Sequence, residues 1–192
     1  MITKFEAFEL LKAWLATSVA FGIIIYSEKN SMLFSVLVAA FTVGLGFVAH
    51  EMSHRWFAHK YHKLAEFKAN DPMLILMLIM SFFGFIIAAP GAVVISGFVS
   101  RNERGIIAAS GPAANLVVAL IFLPLLFVIP RIAFYGLMIN AWLALFNMIP
   151  VPGFDGEKIL SWSKIAYFAI LGLALLLNVI NILVQNTTTI LG

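Results

Sequence analysis

The sequence predicts an all-α polytopic membrane protein of about five to six transmembrane helices, with a membrane-embedded β-strand or re-entrant segment near residues 90–100. Three observations predict it. Of the 192 residues 62% are hydrophobic and only 11% charged, with a mean hydropathy of +1.03, whereas a soluble domain carries about 25% charge. The apolar residues gather in runs close to the roughly 20 residues that one crossing helix requires. One run breaks at Pro90 and Gly91 and resumes over residues 92–99 as a β-branched stretch bounded by glycines, a strand signature.

The apolar runs lie at residues 8–26, 33–49, 73–89, 106–129, 132–149 and 165–184, separated by polar or helix-breaking segments. The first run follows Lys4 and Lys12 but lacks a small-residue cleavage site, so a retained helix is expected rather than a signal peptide. The chain is short for these runs plus a soluble domain, which leaves one membrane domain over residues 1–192. There is no cysteine, which excludes disulfides and thiolate ligands. The formal net charge of +3 is loop-cation excess; no basic patch with interleaved aromatics points to nucleic acid.

Cation placement discriminates between topologies, because cytoplasmic loops carry the Lys/Arg excess. With the N-terminus inside and all six runs crossing, seven cations lie inside and five outside. If residues 73–89 enter and return, Arg101, Arg104, Lys158 and Lys164 move inside, and the division becomes ten against two, Lys29 and Arg131. The second arrangement fits better. Non-helical backbone at that depth must be buried by protein or line a cavity, so a cavity is expected as well.

The most specific signal is His50-Glu51-Met52-Ser53-His54 at the end of the second run. On a helix, two His four apart share one face and reach one metal. The Glu beside the first His can take a proton from water on the open side of that metal. Zinc suits such a site because it lowers the pKa of its water to about 7. A lone buried His is more often a packing residue, but two His and a Glu at this spacing beside a bilayer-depth run point to function. Gly46, one turn earlier, leaves room for another backbone.

A third protein ligand is required. The metzincin continuation would need Gly and His where this chain has Phe57 and Lys60. His59 and His62 lie among Arg55, Lys60 and Lys63 and suit the interface, though either remains open as a ligand. Glu6, Glu9, Glu28 and Glu103 lie in polar ends or loops; Glu66 and Asp71 follow a basic stretch. Asp155 and Glu157 remain, after the helix stop Asn147-Met148-Ile149-Pro150-Val151-Pro152-Gly153-Phe154. In the preferred topology Asp155 emerges on the same side as His50 and His54, and an ordinary Asp-Gly turn is the lesser alternative.

Taken together, the His50–His54 motif, Ser110-Gly111-Pro112-Ala113-Ala114-Asn115, and Asn147-x-x-Pro150 followed by Asp155-Gly156 resemble the site-2 protease family over roughly residues 33–160. The resemblance implies a zinc metalloprotease that cuts transmembrane segments of other proteins, with one zinc per chain. It implies His50, His54 and Asp155 as ligands and Glu51 as general base and then proton donor. Asn147 would sit near the substrate carbonyl, and Asn115 would help to hold the site together. Phe154 stands where the family often has Leu, and the PDZ and CBS domains of many members are lacking. The compact form and the family imply a prokaryotic plasma membrane; the polar segments 55–68 and 151–164 share the expected cytoplasmic side, so a water path and active site open to the cytoplasm are expected.

Residue chemistry adds to this. Asn115 lies among small residues that let membrane helices approach, so an interhelical hydrogen bond is its first expected role. Asn140 and Asn147 are seven apart on one helix face, which is expected to look into the cavity and toward substrate. Val93, Val94 and Ile95 are candidate substrate-binding residues, pairing with an unwound transmembrane substrate as an added strand. A metal or proton transporter and an inactive zinc-binding scaffold are the rival readings. No internal repeat of the transporter kind is found, and Glu51 would have no duty there.

Overall fold

The computed structural model describes residues 2–26, 31–86 and 90–191. Glu28 and Lys29, the end of the third apolar run at 87–89, and Gly192 lie outside the described residues. The chain divides into two compact units, Met1–Phe98 and Val99–Gly192.

In the first unit, helix α1 (Lys4–Ile25) starts at Thr3, whose hydroxyl accepts the Glu6 N–H at 3.0 Å. Its small residues Ala13, Ala20 and Gly22 are buried while Phe5, Phe8, Leu11 and Leu15 are exposed. Such an outward apolar face suits lipid rather than water. Helix α2 (Met32–Ala39), a π-helical turn (Ala40–Gly44) and α3 (Leu45–Lys60) run on as one helix of 29 residues. The Trp14 indole N–H of α1 donates to the Ala40 carbonyl at that turn, 3.3 Å.

The end of α3 is a Schellman motif. The His62 N–H bonds to the His59 carbonyl (2.9 Å) and the Lys63 N–H to that of Ala58 (3.0 Å), with His62 left-handed at φ 56°. The reversal starts β1 (Leu64–Ala69), which pairs antiparallel with β2 (Gly91–Ser96), Leu64 opposite Ser96 and Ala69 opposite Gly91. Between them lies the short α4 (Asp71–Ser81), N-capped by Asn70. The core is Phe47, Phe67, Leu74 and Met77 over the alanines of α1, with Phe47 and Phe67 edge to face at 5.7 Å.

The second unit is helical. Helix α5 (Arg101–Leu125) opens on a capping box of Ser100 and Glu103 and packs against α6 (Pro130–Asn147), α7 (Asp155–Trp162) and α8 (Lys164–Leu191). Its core places Leu116, Leu137 and Leu177 over Ala119, Ala141, Ala144 and Ala174, small residues that admit close helix contact.

The structure corrects the span count. Four helices among the described residues are long and apolar enough to cross a membrane, not five to six: Lys4–Ile25, Met32–Lys60, Arg101–Leu125 and Lys164–Asn186. The third run forms an 11-residue α4, about 16 Å long against a hydrocarbon core of about 30 Å. The fifth run forms the 18-residue α6, whose apolar character is diluted by Arg131, Asn140 and Asn147. The strand expected near residues 90–100 is present as β2. Its partner β1 falls in a segment read from sequence only as polar.

Candidate metal centre

Helix α3 carries the candidate metal-binding residues of the first unit. His50, Glu51 and His54 are buried, at 6%, 8% and 9% exposure. Their burial needs a polar purpose, since an ionisable side chain in an apolar helix costs free energy unless something compensates. One turn of helix separates the two imidazoles, whose planes meet at 88° with Nε2 atoms 3.0 Å apart. Two nitrogens bound to one tetrahedral zinc at 2.0–2.1 Å stand about 3.3 Å apart. The pair therefore fits a shared metal, with a small outward shift. Two protonated nitrogens would repel at this distance, so at least one presents a lone pair.

His59 and His62 are exposed, and His62 lies beyond the end of α3. Arg55, next after His54, turns the other way, and its Nε donates to Glu6 Oε1 at 2.6 Å. Lys60 lies over the exposed Trp56 ring at 5.4 Å, an arrangement suited to a membrane interface.

Within the second unit Asp155 opens α7 and is buried, 6% exposed, with Lys158 Nζ at 3.4 Å. A carboxylate is favoured in the first turn of a helix. The turn before it is tightly specified. Gly153 adopts φ +100°, and a side chain on Gly156 would collide with the Met148 carbonyl. The same carbonyl accepts the Tyr167 hydroxyl at 2.9 Å. Asn147 ends α6, half-buried, and its Nδ2 donates to the Leu143 carbonyl at 2.9 Å. The interhelical bond expected of Asn115 is present: its Nδ2 donates to Asn140 Oδ1 at 3.2 Å, both residues wholly buried. Asn140 in turn donates to the Gly136 carbonyl at 2.9 Å.

The two-stranded sheet has unequal edges. The Phe67 N–H donates to Glu6 Oε1 (3.1 Å) and the Ala69 N–H to Glu9 Oε2 (3.2 Å), so both point away from β2. In an antiparallel pair the residues opposite them then also point away. The N–H and C=O of Val93 and Ile95 therefore line the outer edge of β2, where no third strand lies among the described residues. Val94, opposite Glu66, faces β1 with its backbone and exposes its side chain.

Sequence reasoning missed Glu6 and Glu9. They do not lie in polar ends but are buried, 1% and 8% exposed, on α1. Two acids three apart near the start of a largely apolar helix, with Lys12 three residues after Glu9, were the available signal.

No protein-family model and no solved structure matches this chain. A protein of Methanocaldococcus jannaschii named "Putative zinc metalloprotease MJ0611" is 39% identical over 160 residues, covering 79% of this chain and 83% of that protein. At that identity and coverage, with a paired His50 and His54 on a buried helix, the chain belongs to the family of this archaeal protein, one named for zinc metalloprotease activity.

Proposed function

We propose that this protein is an intramembrane zinc metalloprotease of the site-2 protease kind, hydrolysing peptide bonds within or near transmembrane segments of other membrane proteins. The observation that carries the reading is the 3.0 Å convergence of the His50 and His54 Nε2 atoms beside buried Glu51. The four apolar helices and the relative's name support it.

In this reading His50, His54 and Asp155, each of which offers one ligand atom from a buried side chain, hold a single zinc. When bound, the metal supplies Lewis acidity, polarising the scissile carbonyl and acidifying water. Glu51 takes a proton from the attacking water as the new C–O bond forms. It returns that proton to the leaving nitrogen as the C–N bond breaks. Asn147 donates to the carbonyl oxygen, a role that stabilises developing charge. The Asn115–Asn140 bond fixes α5 against α6 and so keeps the α6 face steady toward substrate.

A helical substrate shields its own peptide bonds, so it must be unwound. The outer edge of β2 offers the Val93 and Ile95 backbone groups to such a strand, with Val94 contributing its exposed side chain. The cations Arg55, Lys60, Lys63 and Lys68 at and after the end of α3 support a site open to the cytoplasm, and the family resemblance supports a plasma membrane.

The test is zinc content of the purified protein, wild type beside Asp155→Ala, with cleavage of a model transmembrane substrate on the same samples. One zinc and cleavage in the wild type, both lost in the variant, is the expected result. Zinc without cleavage would move the transporter or scaffold reading ahead. Survival of both in the variant would place the third ligand elsewhere.

A further inference from the structure

Glu6 and Glu9 are out of place for an ordinary membrane helix. Both are buried in α1, and both turn toward the sheet rather than toward water. Their charges are balanced by Arg55 and Lys12: Arg55 Nε is 2.6 Å from Glu6 Oε1, and Lys12 Nζ is 2.9 Å from Glu9 Oε1 and 2.6 Å from Asp71 Oδ1. Each carboxylate also accepts a backbone N–H of β1, from Phe67 and Ala69 respectively. Residues three apart on a helix are thereby matched to residues two apart on a strand. That match holds β1 at one longitudinal setting along α1.

We infer that Glu6 and Glu9 are positioning residues for the substrate: by capping the inner edge of β1 they leave the outer edge of β2 as the sheet's single docking edge and fix its register. The inference rests on the protease reading above. A bare two-stranded sheet would offer two edges to any extended chain, and edges are closed in proteins by charge or cover. Here α1 closes one edge with carboxylates, whose charge-assisted bonds to N–H are stronger than neutral ones. The other edge, at Val93 and Ile95, has no strand beside it among the described residues. Glu6 has a second attachment, because its partner Arg55 follows His54 in the chain. The carboxylate that sets β1 is thus tied to the helix that carries the metal-binding pair.

Glu9 tests the idea best, because it does not touch α3 through an ion pair. The full-length protein in detergent is compared as wild type, Glu9→Ala, Glu9→Gln and Glu9→Asp. KM and kcat are measured on a synthetic transmembrane peptide with a central Gly-Pro break. Its Kd is measured with Glu51→Gln as background, so that nothing is cut, and zinc content is recorded throughout. Loss of one hydrogen bond's positioning predicts a rise of about fivefold in KM and Kd for Glu9→Ala, with kcat within about twofold and zinc unchanged. Glu9→Gln should recover most of it, because its amide oxygen still accepts the Ala69 N–H. Glu9→Asp keeps the charge but withdraws it from β1, and should resemble Glu9→Ala even where the latter does not fold. Unchanged Kd and KM in Glu9→Asp, or equal losses in Glu9→Gln and Glu9→Ala, would overturn the inference. A wild type that binds the peptide without cutting it sinks the protease reading alone, since Kd still judges the positioning role. A wild type that does not bind the peptide overturns the positioning role.

Discussion

His50 and His54 bring their Nε2 atoms to 3.0 Å on adjacent turns of α3. At this distance the two nitrogens are within reach of one shared metal, and in the proposed site the pair should act as a unit. Replacing either with Ala should remove zinc from the protein as purified, measured by elemental analysis, while the far-ultraviolet helical signal persists. Retention of stoichiometric zinc by both variants would contradict the shared site.

Glu51 lies between them in sequence and is equally buried. Glu51→Gln should leave zinc content unchanged and lower kcat by about 10²–10⁴, the usual contribution of a positioned general base. A variant that cuts at the wild-type rate would assign the proton transfer to another group.

Arg55 and Glu6 form a nearly dry ion pair, with side-chain exposures of 13% and 1%. Removing one partner strands the other, which costs about 3–5 kcal/mol for a buried pair. Arg55→Ala and Glu6→Ala should each destabilise by that order in mixed-micelle unfolding. The double variant should lose much less than the two single losses combined. Additive losses would mean that the pair is not coupled.

His62 adopts a left-handed conformation at the end of α3, which costs a non-glycine residue about 1–2 kcal/mol. His62→Gly should therefore raise stability, by somewhat less than that because glycine also loosens the unfolded chain. Zinc content should not change, since His62 is exposed and outside the pair. Loss of zinc in this variant would show His62 to be a ligand.

Proline separates the two faces of β2. At Ile95 it removes an outward N–H, a position where an edge strand tolerates it. At Val94 it removes a ladder bond to β1. Ile95→Pro should lower kcat/KM while keeping stability near wild type; Val94→Pro should lower stability as well. Equal effects on both readouts would argue against the assigned edge.

The metal motif was legible because helix periodicity alone places His50, Glu51 and His54, and nothing distant is needed to see it. The strand at Gly91–Ser96 was legible from its β-branched residues. Strand β1 was not, because Leu64, Glu66 and Lys68 face outward and give the segment a polar look, while only Ala65, Phe67 and Ala69 turn inward. Glu6 and Glu9 were misjudged for the same reason. Their burial depends on the N–H groups of a strand some 60 residues on, and no local pattern reports such a partner. The span count failed at α6, an apolar run taken to cross whose Arg131, Asn140 and Asn147 dilute it, whereas the short α4 agrees with the reading that residues 73–89 enter and return.

The π-helical turn at Ala40–Gly44 makes the metal helix insensitive to one kind of sequence change. The buried stripe Ser35, Ala39, Val43, Phe47, His50, His54 and Ala58 covers 23 residues in six steps, where a regular α-helix uses about 21.6. The wide turn absorbs the surplus, roughly one residue, as an insertion housed within the helix. A relative lacking one residue between positions 40 and 44 would close that turn to ordinary α geometry and still present both imidazoles on the same side. Gene comparisons should therefore treat a single-codon gap there as compatible with an intact site. The same gap between His50 and His54 would abolish it.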